Sequence, residues 1–137
     1  MIDARLAPYG AFALRAALGV MFIAHAYLKY AVFTVPGFEG FLGSVGLPTF
    51  LAWPIILAEL VGGLAILAGF YSRLVSVALL PVLLGALAIH APNGGWEYSA
   101  FLALAAVAHA LIGDGAFAAR SVGLPGLSTE QASPQAA

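Results

Sequence analysis

Long apolar runs broken by short clusters of glycine, proline and polar residues set the pattern of this chain, and the runs recur four times. About 20 apolar residues are needed to cross roughly 30 Å of hydrocarbon, and the runs 8–30, 50–70, 74–90 and 96–113 meet or approach that length. The cuts fall at Pro36-Gly37, Gly46-Leu47-Pro48, Tyr71-Ser72-Arg73 and Pro92-Asn93-Gly94-Gly95, all of them helix breakers. The pattern predicts an all-α integral membrane protein, an up-and-down bundle of four transmembrane helices within a single domain over 1–115. The first connection, 31–49, is the long one. Phe38, Phe41, Leu42 and Val45 recur in it at helical spacing, which predicts a short amphipathic segment lying in the membrane interface. From 116 to 137 the chain turns small and polar, and it reads as a disordered tail.

Charge then sets orientation. Arg5, Arg73 and Arg120 share the side of the two termini while Lys29 stands alone opposite, so both termini are expected on the cytoplasmic side. Tyr27, Tyr30, Phe50, Trp53, Trp96 and Tyr98 gather near the outer boundary, and Tyr9, Phe70, Tyr71 and Phe117 near the inner one, as interfacial aromatics do. The first ten residues balance one Arg against one Asp, and the run behind them carries Arg15, which does not read as a cleaved signal.

Composition sharpens the question. With 63% hydrophobic and 8% charged residues and a mean hydropathy of +1.02, every ionisable group at membrane depth needs a physical reason. A net charge of -1 without a basic cluster argues against nucleic acid as a partner. The chain has no cysteine, which excludes disulfides, thiolate metal sites, iron–sulfur clusters and dithiol relays.

Counting about 1.5 Å per residue from the turns sorts the polar residues into tiers. His25, Lys29, His90, Glu97 and Tyr98 form an outer tier, Arg15 and His109 an inner one, and Glu59 falls between them. Arg15, His25 and Lys29 share one stripe of the first span, and Glu59 sits beside Gly62 and Gly63, where backbones can approach closely. An always-protonated Arg15 calls for a partner, and Glu59 is the expected one. Plainer roles stand beside functional ones: Lys29 can snorkel to the headgroups, His25 and His90 can bond backbone carbonyls, His109 can be a packing histidine, and Glu97 can favour a helix dipole. Pro81 is expected to free the Val77 carbonyl in the third span. No HxxxH or ExxH pair offers two metal ligands from one helix, so no metal site is assigned, and nothing marks a haem or nucleotide site.

These residues resemble the DoxX family of small four-helix bacterial membrane proteins. The matching stretches are Leu14-Arg15 through Leu18-Gly19, His25 with Lys29, Gly37-Phe38 with Phe41-Leu42, Val45-Gly46-Leu47-Pro48, Glu59 with Gly62-Gly63-Leu64, Gly69 with Arg73, His90 before Pro92-Asn93-Gly94, and Glu97-Tyr98. The likeness ends after Ile112, where Gly113-Asp114-Gly115-Ala116 lacks the family's tyrosine, and His109 is an addition. The resemblance implies a membrane oxidoreductase component, with relatives linked to thiosulfate:quinone oxidoreduction, to resistance against oxidants and catechols, and to a complex with superoxide dismutase and a sulfurtransferase. On that footing the expected ligand is a quinone, quinol or similar lipophilic redox molecule. His25 and Lys29 would act as donors to a carbonyl, Glu59 and His90 would pass protons, and Arg15, Glu97, Tyr98 and His109 would complete the polar network. Two other roles share these residues: a bundle that binds or moves a lipophilic molecule without turning it over, and an assembly protein that recruits soluble redox enzymes. Either is compatible with a lipid-embedded oligomer.

Overall fold

The computed structural model describes residues 1–121. Five α-helices follow in order: α1 (Ala7–Tyr27), α2 (Val35–Ser44), α3 (Ala52–Ala68), α4 (Ser72–His90) and α5 (Trp96–Ile112). Among the described residues no strand forms, only an isolated parallel bridge between Phe70 and Arg120. α1 opens with a proline in its first turn, where a missing N–H costs nothing, and it runs on through a π-turn at Leu28–Val32 closed by Phe33 N–H on Leu28 O at 2.9 Å. The helical stretch Ala7–Val32 is therefore 26 residues long, more than the span expected from the pattern. With Thr49–Ala68 and Ser72–His90 it gives three helices long and apolar enough to cross a membrane, and Trp96–Ile112 is a shorter apolar helix. α4 passes unbroken through Pro81.

The long helices touch in a ring, α1 on α3, α3 on α4, α4 on α5 and α5 back on α1. Small residues set the closest approach. A Cβ built on Gly19 would lie 2.8 Å from the Leu67 amide nitrogen and 2.9 Å from Gly63 O, so α1 and α3 meet backbone to backbone. Gly62, beside it, receives Leu79 of α4. The ring closes over Leu18, Phe22, Ile66, Leu79, Leu83, Leu102, Ala103 and Ala106, while Val61, Leu84, Phe101 and Leu104 face outward. Large apolar side chains on the outside of an apolar core suit a lipid solvent.

α2 does not simply float in the interface. Phe38 and Leu42 are buried with Ala26, Ala52 and Ile56 in a second core at the end of the ring expected to face outward, while Phe41 and Val45 stay exposed. Thr34 turns the chain into α2 at a positive φ of 65°, and its Oγ1 accepts from Gly37 N–H at 3.3 Å.

The opposite end, expected to face inward, is closed by the chain behind α5. Ala116 N–H donates to Pro8 O (2.9 Å), Ala119 N–H to Ala68 O (3.0 Å) and Arg120 N–H to Gly69 O (3.1 Å). Gly115 lies so close to α1 that a Cβ there would sit 2.6 Å from Phe12 N. Residues 116–121, which composition assigns to a free tail, thus dock on α1 and on the turn after α3. Residues 122–137, the rest of the expected tail, lie outside the described residues.

Candidate functional site

Two polar clusters occupy opposite ends of the ring. The outer one is centred on Lys29, carried by the π-turn, a distortion that often marks functional positions. Its ammonium donates to both carboxylate oxygens of Glu59, at 3.0 and 2.8 Å, and lies 5.6 Å from the centre of the Phe38 ring. The two side chains are only 17% and 5% exposed. Glu59 sits there because α3 buries Ala52, Ile56, Glu59, Gly63 and Ile66 at three- and four-residue spacing, so a carboxylate takes a core-facing position.

His25 precedes Lys29 by one turn. Its Nδ1 is 2.6 Å from Met21 O, and a carbonyl can only accept, so Nδ1 carries the proton and Nε2 of the neutral ring holds the lone pair. The ring stacks on Tyr98 of α5, centroids 5.3 Å apart and planes at 29°, while the Tyr98 hydroxyl points to Met21 Sδ at 3.8 Å. His25, Lys29, Glu59 and Tyr98 therefore draw α1, α3 and α5 together at one end. His90 and Glu97 do not join them. His90 is exposed at the end of α4 with Nδ1 donating to Ala86 O at 2.7 Å, and Glu97 is exposed in the first turn of α5.

The expected Arg15–Glu59 pair is not formed. The Arg15 guanidinium carbon is 3.0 Å from a Cβ built on Gly69, so its head lies level with the end of α3. Glu59 is ten residues earlier on that helix, about 15 Å away along the axis. Lys29 reaches Glu59 by turning inward instead of snorkelling to the headgroups. Arg15, 1% exposed, donates Nη1 to Asp114 O and Nη2 to Phe117 O at 3.3 Å, with the Phe12 ring 5.2 Å away. It clamps the segment behind α5 onto the inner end.

That inner cluster contains residues that sequence reasoning passed over. The Asp114 carboxylate accepts from the hydroxyls of Ser72 and Ser121. Because Ser72 spends its one proton on Asp114, the 3.0 Å contact between Ser72 Oγ and His109 Nε2 is a donation from the imidazole. Arg73 Nε donates to Ala110 O at 2.7 Å. His109 is fully buried, as is Ser76 one turn beyond Ser72. A pair of serines at four-residue spacing in an apolar helix was the readable signal. Asp114, flanked by two glycines, gave none. Among the described residues no three His, Cys, Asp or Glu side chains gather to hold a metal ion.

A small ring of apolar helices with ionisable groups buried at both ends defines a membrane protein with an internal polar site. The chain belongs to the DoxX family, which it matches over residues 10–92. It is also 35% identical over 111 residues, covering 76% of this chain and 79% of the relative, to a Bacillus subtilis (strain 168) protein named "Putative oxidoreductase CatD". No solved structure matches it. The matched stretch contains Arg15, His25, Lys29, Glu59 and His90, and it stops short of Glu97, Tyr98, His109 and Asp114.

Proposed function

We propose that the chain is the membrane component of an oxidoreductase, with α1, α3, α4 and α5 crossing the inner membrane and both termini on the cytoplasmic side, and that its outer cluster binds a quinone, quinol or similar lipophilic redox molecule. The observation that carries this reading is the Lys29–Glu59 pair. Burying an ion pair among apolar helices is costly, and hydrophobic residues would hold these helices at least as well, so ionisable groups at such a place point to ligand or proton chemistry. The relative's name supports the oxidoreductase class, and Arg5, Arg73 and Arg120 on one side support the orientation.

In this role Lys29 and Glu59 bind a polar head between α1 and α3. His25 exchanges a proton with it through Nε2, and Tyr98 keeps the imidazole face covered. His90, at the exposed end of α4, exchanges protons with water. Arg15 and His109 act at a distance by holding the inner end closed. Electrons pass to or from the ligand through a partner redox protein, a second substrate or a bound cofactor, since a chain without cysteine has no thiol to carry them.

The test is saturable binding of a short-chain ubiquinone analogue, in its oxidised and reduced forms, to protein in lipid nanodiscs. About one site per chain is expected, weakened about tenfold or more by Glu59→Gln, as loss of a charge-assisted hydrogen-bond partner implies. Saturable binding without electron transfer to any acceptor would assign a carrier role instead. No saturable binding of either form would overturn the proposal.

A further inference from the structure

We infer that the outer site takes the reduced, hydroxyl-bearing form of its ligand, an aromatic diol, in preference to the oxidised dicarbonyl form. The inference rests on the reading above that a quinone-type molecule binds there, and it comes from counting donors and acceptors. His25 commits its Nδ1–H to Met21 O at 2.6 Å, and in the neutral ring that leaves Nε2 as an acceptor only. The stack on Tyr98 holds the ring in that orientation, and the Tyr98 hydroxyl is already turned to Met21 Sδ. Lys29 directs two of its three N–H donors at Glu59, and the Phe38 ring covers part of its ammonium. A carboxylate has about four lone-pair positions, so Glu59 keeps acceptor capacity after Lys29 is satisfied. The unused hydrogen-bonding capacity of the cluster is thus dominated by acceptors, with a single ammonium N–H on the other side.

A quinone brings only acceptors to such a site. One carbonyl oxygen can take the third Lys29 N–H, as a hydroxyl oxygen can, but a quinone has no donor for the His25 lone pair and sets an acceptor against it. The corresponding diol donates one hydroxyl to His25 Nε2 and loses nothing at Lys29, because a hydroxyl oxygen still accepts. Desolvating an acceptor against another acceptor is the penalty that separates the two forms. The same hydrogen bond is the path for a proton: it leaves the ligand oxygen for Nε2, giving an imidazolium and a phenolate, with no electron moved.

The experiment compares three ligands on the nanodisc protein under anaerobic conditions: decylubiquinol, decylubiquinone, and the dimethyl ether of the quinol, which keeps the ring and tail, adds a methyl at each oxygen and has no O–H. The quinol is expected to bind about tenfold tighter than either of the others, and His25→Phe to bring the three within about twofold. In ring-nitrogen NMR, His25 should carry its proton on Nδ1 in the unliganded protein. Quinone or ether binding as tightly as quinol, or a His25 proton on Nε2, overturns the inference and leaves the ligand class standing. Saturable binding of none of the three overturns the ligand class and the inference with it.

Discussion

Replacing Glu59 with leucine strands Lys29, not Arg15, and the two outcomes are measurably different. With its partner gone, the Lys29 ammonium must stay half-desolvated against Phe38 or swing outward, and breaking a buried pair on one side costs about 3–5 kcal/mol. Lys29 is 17% exposed on a flexible stem that can snorkel outward, which places the loss at the lower end, about 3 kcal/mol. A double-mutant cycle isolates the contact. Reversible unfolding in mixed micelles, followed by the fluorescence of Trp53 and Trp96, should give a coupling of about 1.5–3 kcal/mol between Glu59→Gln and Lys29→Met. The same cycle between Glu59→Gln and Arg15→Met should stay within about 0.5 kcal/mol, as for groups more than 10 Å apart with no shared partner. Coupling of Glu59 to Arg15 with none to Lys29 would refute the assignment.

Other consequences follow from the same contacts. Gly19→Val drives side-chain atoms into the α3 backbone and should abolish stable expression, whereas Gly40→Ala, where a Cβ meets nothing within 4 Å, should stabilise α2 by about 0.5–1 kcal/mol in the same unfolding assay. Asp114→Asn weakens the acceptor shared by Ser72 and Ser121. Hydrogen exchange of the Ala119 and Arg120 amides should then quicken about tenfold or more, while the Lys29–Glu59 coupling is unchanged. Because the chain has no native cysteine, a single Asn93→Cys should react with a membrane-impermeant maleimide on intact cells and a single Ala4→Cys only after permeabilisation; the reverse pattern would invert the topology.

Helix positions were readable because breakers and apolar runs act locally. Pro36-Gly37 falls in the first turn of α2 and Pro92-Asn93-Gly94-Gly95 between α4 and α5, and Gly62-Gly63 marks the close approach to α1 and α4. Partner choice was less legible, since counting residues from the turns gives depth along a straight helix and nothing about azimuth or side-chain direction. It placed His90 level with His25, yet His90 faces outward at the end of α4. It left Arg15 of the inner tier within reach of Glu59, but the guanidinium lies at Gly69, beyond the end of α3, and Lys29 turns inward. The inner cluster depends on Ser72 meeting Asp114 across 42 residues, held by backbone bonds from Ala116, Ala119 and Arg120. Small residues making backbone contacts have the same composition as a free tail, so that docking left no trace in the hydropathy pattern.

The most direct measurement is where a photoreactive azido-quinol, bound to the nanodisc protein and activated by light, attaches to the chain. Adducts on the α1 peptide holding His25 and Lys29, on α3 around Glu59 and on α5 around Tyr98, competed away by unlabelled decylubiquinol, are the predicted result. Competed adducts at Phe12, Arg15, His109 or Asp114, at the opposite end of the ring, would contradict the account.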